Sequence, residues 1–319
     1  MPKPTEPRLP PFLRSSMFQG ELAQRVGTTD VRMIEVGSPG SGTKVAHRAI
    51  GTGPDLLFVH GWPLTSATYR NIVPALAERF TCHLIDLPGA GLSEWGPDTE
   101  IGLSAHCEAL TAVVRALELR EVVIVGHDSG GLFARACAAA LPETVRGLVL
   151  GNTEIPRHLP LLLLPYLVVG KLPKTGRLMA AIMGNRTIRR SGLVFGACFT
   201  DFSALEEEFA AHFVAPLQSD PKLARGQARL IENLDTKAIA RLAETHAAIT
   251  CPVHLIWGDA DRFFPAEKMR LMLEQFGGPV TVREVPGAKL FVHEEHPQMF
   301  AEEIATFALP RFSNLAQTA

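Results

Sequence analysis

The chain has 319 residues, of which 46 % are hydrophobic and 20 % are charged, a composition typical of a globular protein and not of a disordered one. Its 31 Lys and Arg residues nearly balance 33 Asp and Glu residues, so the formal net charge is −2 and nucleic acid is not an expected partner. The five cysteines are widely spaced and form no CxxC pair. We therefore expect free thiols in the cytoplasm, with neither a disulfide framework nor a metal site.

The first 29 residues contain several prolines and lack the apolar core of a signal peptide, which predicts an extended N-terminal arm over residues 1–29. The most apolar run, residues 159–170, is shorter than the ~20 residues that span a bilayer, and two prolines interrupt it. We expect a buried or lid helix there and no stable membrane insertion. A role at the membrane surface is the alternative.

The remaining sequence alternates short apolar runs with helical patterns. The predicted strands cover residues 31–36, 44–50, 56–59, 82–85, 121–125, 145–150, 253–257 and 280–285. The predicted helices cover residues 66–79, 104–117, 130–141, 265–275 and 297–307. This order predicts an α/β fold, in which helices flank a mainly parallel sheet of eight strands.

The strand–helix rhythm stops between residues 155 and 245, where the pattern predicts helices and no strand. We interpret residues 30–154 and 246–319 as one α/β core and residues 155–245 as an inserted helical cap. Such a cap would cover the carboxyl ends of the strands, where sheets of this kind bind ligands.

The strongest chemical signal is the segment VVIVGHDSGG, in which an apolar strand meets a helix. Its spacing fits a nucleophile elbow, a turn so tight that the residues two before and two after the nucleophile must be small. Gly126 and Gly130 meet this demand around Asp128. A nucleophile at Ser129 would instead put His127 at a position that needs a small residue. The spacing favours Asp128, with an ordinary strand–turn–helix as the alternative.

Two further strand ends carry polar groups. After one strand, in the sequence HGWP, the backbone N–H of Trp62 can join that of Ser129 in stabilising negative charge on an oxygen or a departing anion. We expect His60 beside the substrate pocket, where it fixes the loop. After another strand, in the sequence WGDAD, Asp261 is a better candidate than Asp259 for an acid that orients a histidine. A solvated loop with two acids is the alternative.

The elbow, HGWP, WGDAD and the loop DLPGAGLS resemble the α/β-hydrolase fold family over about residues 30–310. An aspartate at the elbow is similar to the branch of haloalkane dehalogenases, haloacetate dehalogenases and epoxide hydrolases. That resemblance implies that Asp128 attacks carbon and forms an ester, which a histidine-activated water hydrolyses. It makes Asp261 the partner of the histidine. It places Asn152 where some haloalkane dehalogenases carry a polar halide-side residue or an alternative acid, with Glu154 close by.

The segment PGAKLFVHEEHP departs from the family pattern, because Leu290 stands where the resemblance expects the histidine. Leucine cannot accept a proton, so hydrolysis of the ester loses its base at this position. We expect His293, three residues later, to replace it if the loop bends differently. The alternative is a position at a helix start.

The groups that distinguish the three subfamilies are also incomplete. Ser129 stands where haloalkane dehalogenases carry Trp and haloacetate dehalogenases carry Arg, and Leu132 occupies the second arginine position of the latter. Epoxide hydrolases use two cap tyrosines, but only Tyr166 falls in the predicted cap, where we expect it to line the substrate pocket. No single subfamily activity is supported residue by residue.

The sequence therefore predicts a hydrolase that uses an aspartate nucleophile on a small to medium apolar substrate. A non-hydrolytic lyase or isomerase, with Asp128 as a base, is one alternative. A ligand-binding member that has lost hydrolysis through Leu290 is the other. No dinucleotide-binding glycine motif or phosphate-binding loop is present in the sequence, so we expect no cofactor.

Overall fold

A computed structural model describes residues 30–312 apart from Pro39 and Pro173. The predicted arm, residues 1–29, lies outside the described residues.

Eight strands form a single sheet. They are β1 (Arg32–Glu35), β2 (Lys44–Ile50), β3 (Asp55–Val59), β4 (Thr81–Asp86), β5 (Val122–His127), β6 (Val145–Gly151), β7 (Val253–Gly258) and β8 (Val280–Val285). Their order is β1-β2-β4-β3-β5-β6-β7-β8. The hairpin β1–β2 and the pair β2–β4 are antiparallel, and the other neighbours are parallel. The predicted fold class, a mainly parallel eight-stranded α/β sheet, is confirmed.

The burial of the strands explains why they read as continuous apolar runs. Every residue of β5 and of β7 is buried, because helices cover both faces of the central sheet. At the edge, β8 alternates between partly buried and exposed residues. The polar residues that follow a central strand such as β5 lie at the carboxyl edge of the sheet. The site is found at this edge.

Fourteen α-helices occur among the described residues. In the α/β core they are α1 (Val73–Leu76), α2 (Leu103–Ala116), α3 (Ser129–Ala140), α12 (Ala266–Arg270), α13 (Val292–Glu295) and α14 (Pro297–Phe312). Between β6 and β7 they are α4 (Leu164–Gly170), α5 (Thr175–Gly184), α6 (Arg186–Arg189), α7 (Phe202–Ala204), α8 (Ala215–Ser219), α9 (Pro221–Glu232), α10 (Thr236–Ala240) and α11 (Leu242–Ala248).

Two predicted helices are shorter than expected. The predicted helix 66–79 consists of a 3₁₀ turn, Ser66–Tyr69, and the short helix α1. Pro74 lies in the first turn of α1, where its missing N–H is tolerated, and it prevents one continuous helix. The predicted helix 265–275 is likewise divided into α12 and a 3₁₀ turn, Leu273–Gln275.

The segment between β6 and β7 contains helices and turns and, among its described residues, no strand. It includes a 3₁₀ turn, Leu161–Leu163, and a π-helical stretch, Leu205–Val214. No helix in the described part of the chain is both long and apolar enough to cross a bilayer.

Candidate active site

Asp128 occupies the turn between β5 and α3. Its φ of 52° and ψ of −136° are unusual for a residue with a side chain. Such strain is typical of functional turns that the surrounding structure holds in place. The turn directs the carboxyl group of Asp128 into a cavity rather than into the core of the sheet.

The two glycines that flank this turn are required by close packing. A Cβ atom added to Gly126 would lie 2.8 Å from the Cα of Gly131, and one added to Gly130 would lie 2.1 Å from the carbonyl oxygen of Val59. Both distances are far below an ordinary contact. The steric demand that singled out Asp128 in the sequence is therefore present in the structure.

The carboxylate of Asp128 is held by backbone donors. The N–H of Trp62 donates to its Oδ2 over 2.8 Å, and the N–H of Ser129 is a second donor. The indole N–H of Trp62 is directed elsewhere, since it donates to the carbonyl of Gln227. The backbone of the HGWP loop thus supplies the donor, and the indole is not free to bind a ligand.

His60 holds the HGWP loop in place. Its Nδ1 lies 2.9 Å from the carbonyl oxygen of Gly61, and its Nε2 accepts a hydrogen bond from the N–H of Leu87 over 3.0 Å. It does not line the cavity that Asp128 faces. The expectation of His60 beside the substrate pocket is corrected: both ring nitrogens serve the loop behind the site.

The cavity in front of Asp128 has a volume of about 90 Å³. Its walls come from the α/β core and from the helices between β6 and β7, and they are mostly apolar. Side chains that form them include Leu132, Phe133, Leu163, Tyr166, Phe195, Ile231, Phe263 and Leu290. Tyr166, expected here from the sequence, packs edge-on against Trp62 and donates its hydroxyl to the carbonyl of Leu193. Such a cavity suits a small apolar molecule.

A second carboxyl group, that of Glu154, shares this cavity. Its Oε2 accepts a hydrogen bond from Thr153 Oγ1 over 2.8 Å and lies 3.7 Å from the guanidinium of Arg135, which is fully buried. Burial raises the pKa of Glu154, and Arg135 opposes that rise. The sequence marked Glu154 only as a neighbour of Asn152, and no spacing rule connected it to Arg135.

The protonation of Asp128 is set by these surroundings. Burial raises its pKa well above the ordinary value, and the negative charge of Glu154 raises it further. The N–H groups of Trp62 and Ser129 act in the opposite direction, since they stabilise the ionised form. The site is thus a carboxyl pair in an apolar enclosure, of which one member is aimed by backbone donors.

Asp261 and Asn152 form a buried pair behind the cavity wall. The side-chain amide of Asn152 donates to Asp261 Oδ2 over 2.7 Å, and the N–H of Phe263 donates to Oδ1 over 2.7 Å. Burial raises the pKa of Asp261 to about 6. Neither side chain lines the cavity. The expected position of Asn152 on the halide side is therefore corrected: its amide is committed to Asp261 and to the backbone of Gly258.

His293 lies outside the cavity, and this corrects its expected role as the base. Its ring is fully buried, its Nε2 lies 2.6 Å from Thr68 Oγ1, and among the described residues its Nδ1 has no partner. No hydrogen bond in the described part of the chain links it to Asp128 or Asp261. The physical reason is that the chain enters α13 at residue 292, which turns His293 away and leaves Leu290 on the cavity wall.

One histidine does line the cavity, His158. Its Nε2 lies 2.9 Å from the carbonyl oxygen of Phe263, and its Nδ1 lies 2.8 Å from the Nζ of Lys268. Because both ring nitrogens are engaged, His158 has no nitrogen left for a substrate proton. The described residues also contain no cluster of three or more His, Cys, Asp or Glu side chains suited to a metal ion.

A mainly parallel eight-stranded sheet, with a tight strand–turn–helix elbow after its central strand β5, is the architecture of the α/β-hydrolase fold. The family model for the alpha/beta hydrolase fold matches residues 54–297. The chain therefore belongs to the α/β-hydrolase fold family.

The similar proteins include more than one kind of hydrolase, so they do not identify a single substrate class. The chain is 32 % identical over 259 residues to "Haloalkane dehalogenase 2" of Mycobacterium tuberculosis, which covers 80 % of this chain and 87 % of the relative. It is 28 % identical over 276 residues to a pimeloyl-[acyl-carrier protein] methyl ester esterase of Aeromonas hydrophila, covering 82 % and 98 %. Among solved structures, the epoxide hydrolase CorEH superposes with a TM-score of 0.74 at 23 % identity, over 88 % and 99 % of the two chains, which supports the fold alone.

Proposed function

We propose that Asp128 is the nucleophile of a hydrolase that acts on an electrophilic carbon of a small apolar substrate, such as a haloalkane or an epoxide. One observation carries this proposal. The Asp128 carboxylate, held through Oδ2 by the N–H of Trp62 at 2.8 Å, faces an apolar cavity. An ionised carboxylate with one oxygen held and the other free is oriented for attack on carbon.

The first step would form a bond between Oδ1, the oxygen that does not accept the Trp62 N–H, and the substrate carbon. The electron pair of the breaking bond leaves with the halide, or it stays on the opened epoxide oxygen. In the second step, water adds to Cγ of the resulting ester while one of its protons passes to Glu154, the other basic group of the cavity. The bond between Cγ and Oδ1 then breaks. Oδ1 leaves on the alcohol product, which takes that proton back, and the water oxygen completes the restored carboxyl group. While the tetrahedral species exists, its negative charge lies on Oδ2, which already accepts the N–H of Trp62, and the N–H of Ser129 also stabilises the charged group.

An alkyl carbon is a better target for Asp128 than a carboxylic ester. Attack of a carboxylate on an ester would give an anhydride, which is higher in energy than the starting ester. Attack on a haloalkane or an epoxide gives a stable ester instead. The haloalkane dehalogenase among the relatives agrees with this chemistry, whereas the esterase relative is the reason for including esters in the test.

A second candidate is a member that is alkylated at Asp128 and releases its product slowly or not at all. Leu290 on the cavity wall and the buried His293 favour it, because water then lacks an imidazole base. The carboxylate of Glu154 is the other basic group that lines the cavity with Asp128. The two candidates share the first step and differ in the second.

The test is to incubate the full chain with short bromoalkanes, epoxides and activated esters in ¹⁸O-labelled water. Intact-mass spectra would follow an adduct on Asp128, and released halide or diol would report turnover. An adduct that decays while ¹⁸O enters the carboxyl group of Asp128 supports the hydrolase. A lasting adduct supports the slow-release candidate. The proposal fails if no adduct and no turnover occur, or if Asp128→Asn reacts as fast as the unaltered chain. Asp98→Asn makes the same change at an exposed position and is the matched control, expected to react normally.

A further inference from the structure

The outer side of α4 and the turns before and after it form an exposed apolar stripe. Leu161 is 80 % exposed, Leu164 42 %, Val168 65 % and Leu172 46 %. Their spacing of three or four residues puts them on one face of the helical segment. We call these four residues the α4 stripe.

The opposite side of the same segment is also apolar. Leu163 and Tyr166 line the cavity in front of Asp128, and Leu162, Leu167 and Val169 pack against the core. A helix that is apolar on every side is ordinarily covered on every side. Here the inner side alone is covered by described residues, so the α4 stripe has the character of a docking surface.

The stretch of chain that carries the stripe has charges of one sign, and Glu232 on the neighbouring helix α9 pairs with Arg225. Residues 155–200 contain seven Lys and Arg residues and no Asp or Glu, in a chain whose formal net charge is −2. Arg186 and Arg189 pair with Glu206. Lys171, Lys174 and Arg177 are exposed beside the end of the stripe and form no ion pair among the described residues. The surface therefore combines an apolar stripe with uncompensated cations.

We propose that the α4 stripe and these three cations dock the protein on an anionic lipid bilayer. Apolar side chains would enter the boundary between headgroups and acyl chains, and the cations would contact the acidic headgroups. The helix that docks is also a wall of the cavity, so an apolar substrate dissolved in the bilayer would meet the protein next to its site.

Two other occupants fit the charges less well. A second copy docked stripe to stripe about a twofold axis would bring Lys171, Lys174 and Arg177 against their own equivalents. Residues 1–29 contain four Lys and Arg residues and two Glu residues, so this segment is itself cationic. Neither occupant complements the positive rim, and an anionic surface does.

The experiment is sedimentation of the full chain with vesicles of phosphatidylcholine alone or with about one third phosphatidylglycerol. We expect binding to the phosphatidylglycerol vesicles that weakens as salt is raised. Leu161→Gln combined with Val168→Gln should lower the partition coefficient by about tenfold or more. Lys171→Gln combined with Arg177→Gln should lower it by about 25-fold, roughly fivefold for each cation.

Leu271→Gln is the matched control, because Leu271 is 76 % exposed and lies on the α/β core after α12. It should bind vesicles like the unaltered chain. The proposal is overturned if the full chain does not sediment with anionic vesicles at low salt, or if the control loses binding equally. It is also overturned if ultracentrifugation finds that the unaltered chain is a dimer and that the double variant Leu161→Gln, Val168→Gln is a monomer. None of these readouts depends on catalytic activity.

Discussion

The imidazole of His293 packs against that of His127, with the two ring centroids 4.1 Å apart. His127 is itself tied to the Leu290 carbonyl through Nε2 at 2.8 Å. Burial lowers the pKa of His293 well below its usual range, and the neighbouring His127 and Arg70 lower it further. These surroundings favour the neutral form of the ring, and its contacts join the segment after β8 to the 3₁₀ turn at Thr68.

Because of this placement, His293→Gln should leave the hydrolysis rate of an Asp128 adduct unchanged within about twofold. A glutamine retains a hydrogen-bonding group for Thr68 and cannot act as a base. The variant should lose about 1–3 kcal/mol of unfolding free energy, since a buried ring is replaced by a smaller amide. Adduct decay by mass spectrometry and urea unfolding measure the two effects. Slower decay in a variant that is still folded and unfolds cooperatively would restore His293 as the base.

Leu290→His should accelerate release of the product. Leu290 already lines the cavity with Asp128, so an imidazole there can reach a water next to the ester. General-base catalysis contributes about 10²–10⁴-fold, and we expect a gain of at least about tenfold because the new ring is not yet oriented. The adduct lifetime is the measurement. Leu290→Met is the control for altered packing, and equal lifetimes in both variants would contradict a missing base as the cause of slow release.

The sequence predicted those features that depend on local sterics. The elbow around Asp128 follows from two glycines whose Cβ atoms would overlap neighbouring backbone, and such a rule is readable from spacing. The positions of His293 and Asn152 depend on how loops from three strands pack together. The spacing of residues along the sequence does not predict that packing. The role of Glu154 in the cavity was not predicted for the same reason. Its partner Arg135 lies on α3, and β6 separates the two residues in the sequence.

Gly130→Ala should destabilise the protein by about 2 kcal/mol or more, the range of an overpacked buried position. The added methyl group would lie 2.1 Å from the Val59 carbonyl oxygen, so β3 and α3 would have to separate. Urea unfolding with a fixed m-value checks this. Gly96→Ala is the control, since its added methyl group has nothing within 4 Å. Equal stability of the two variants would mean that the elbow is looser than described.

Glu154→Gln should shift the pH dependence of Asp128 alkylation toward lower pH. Asp128 attacks only when ionised, so alkylation is lost as the pH falls through its raised pKa. The negative charge of Glu154 contributes to that rise after burial itself. Replacing it by a neutral amide removes this contribution and leaves the positive charge of Arg135 uncompensated, and both changes lower the pKa of Asp128.

The measurement is the alkylation rate of the full chain by a bromoalkane as a function of pH, followed by intact mass. At a pH below the midpoint of the unaltered chain, Glu154→Gln should react several-fold faster, whereas at high pH the two rates should converge. Glu143→Gln removes the same charge at an exposed position and should keep the original midpoint. A midpoint that stays fixed in Glu154→Gln, or moves to higher pH, would mean that the two carboxyl groups of the cavity titrate independently.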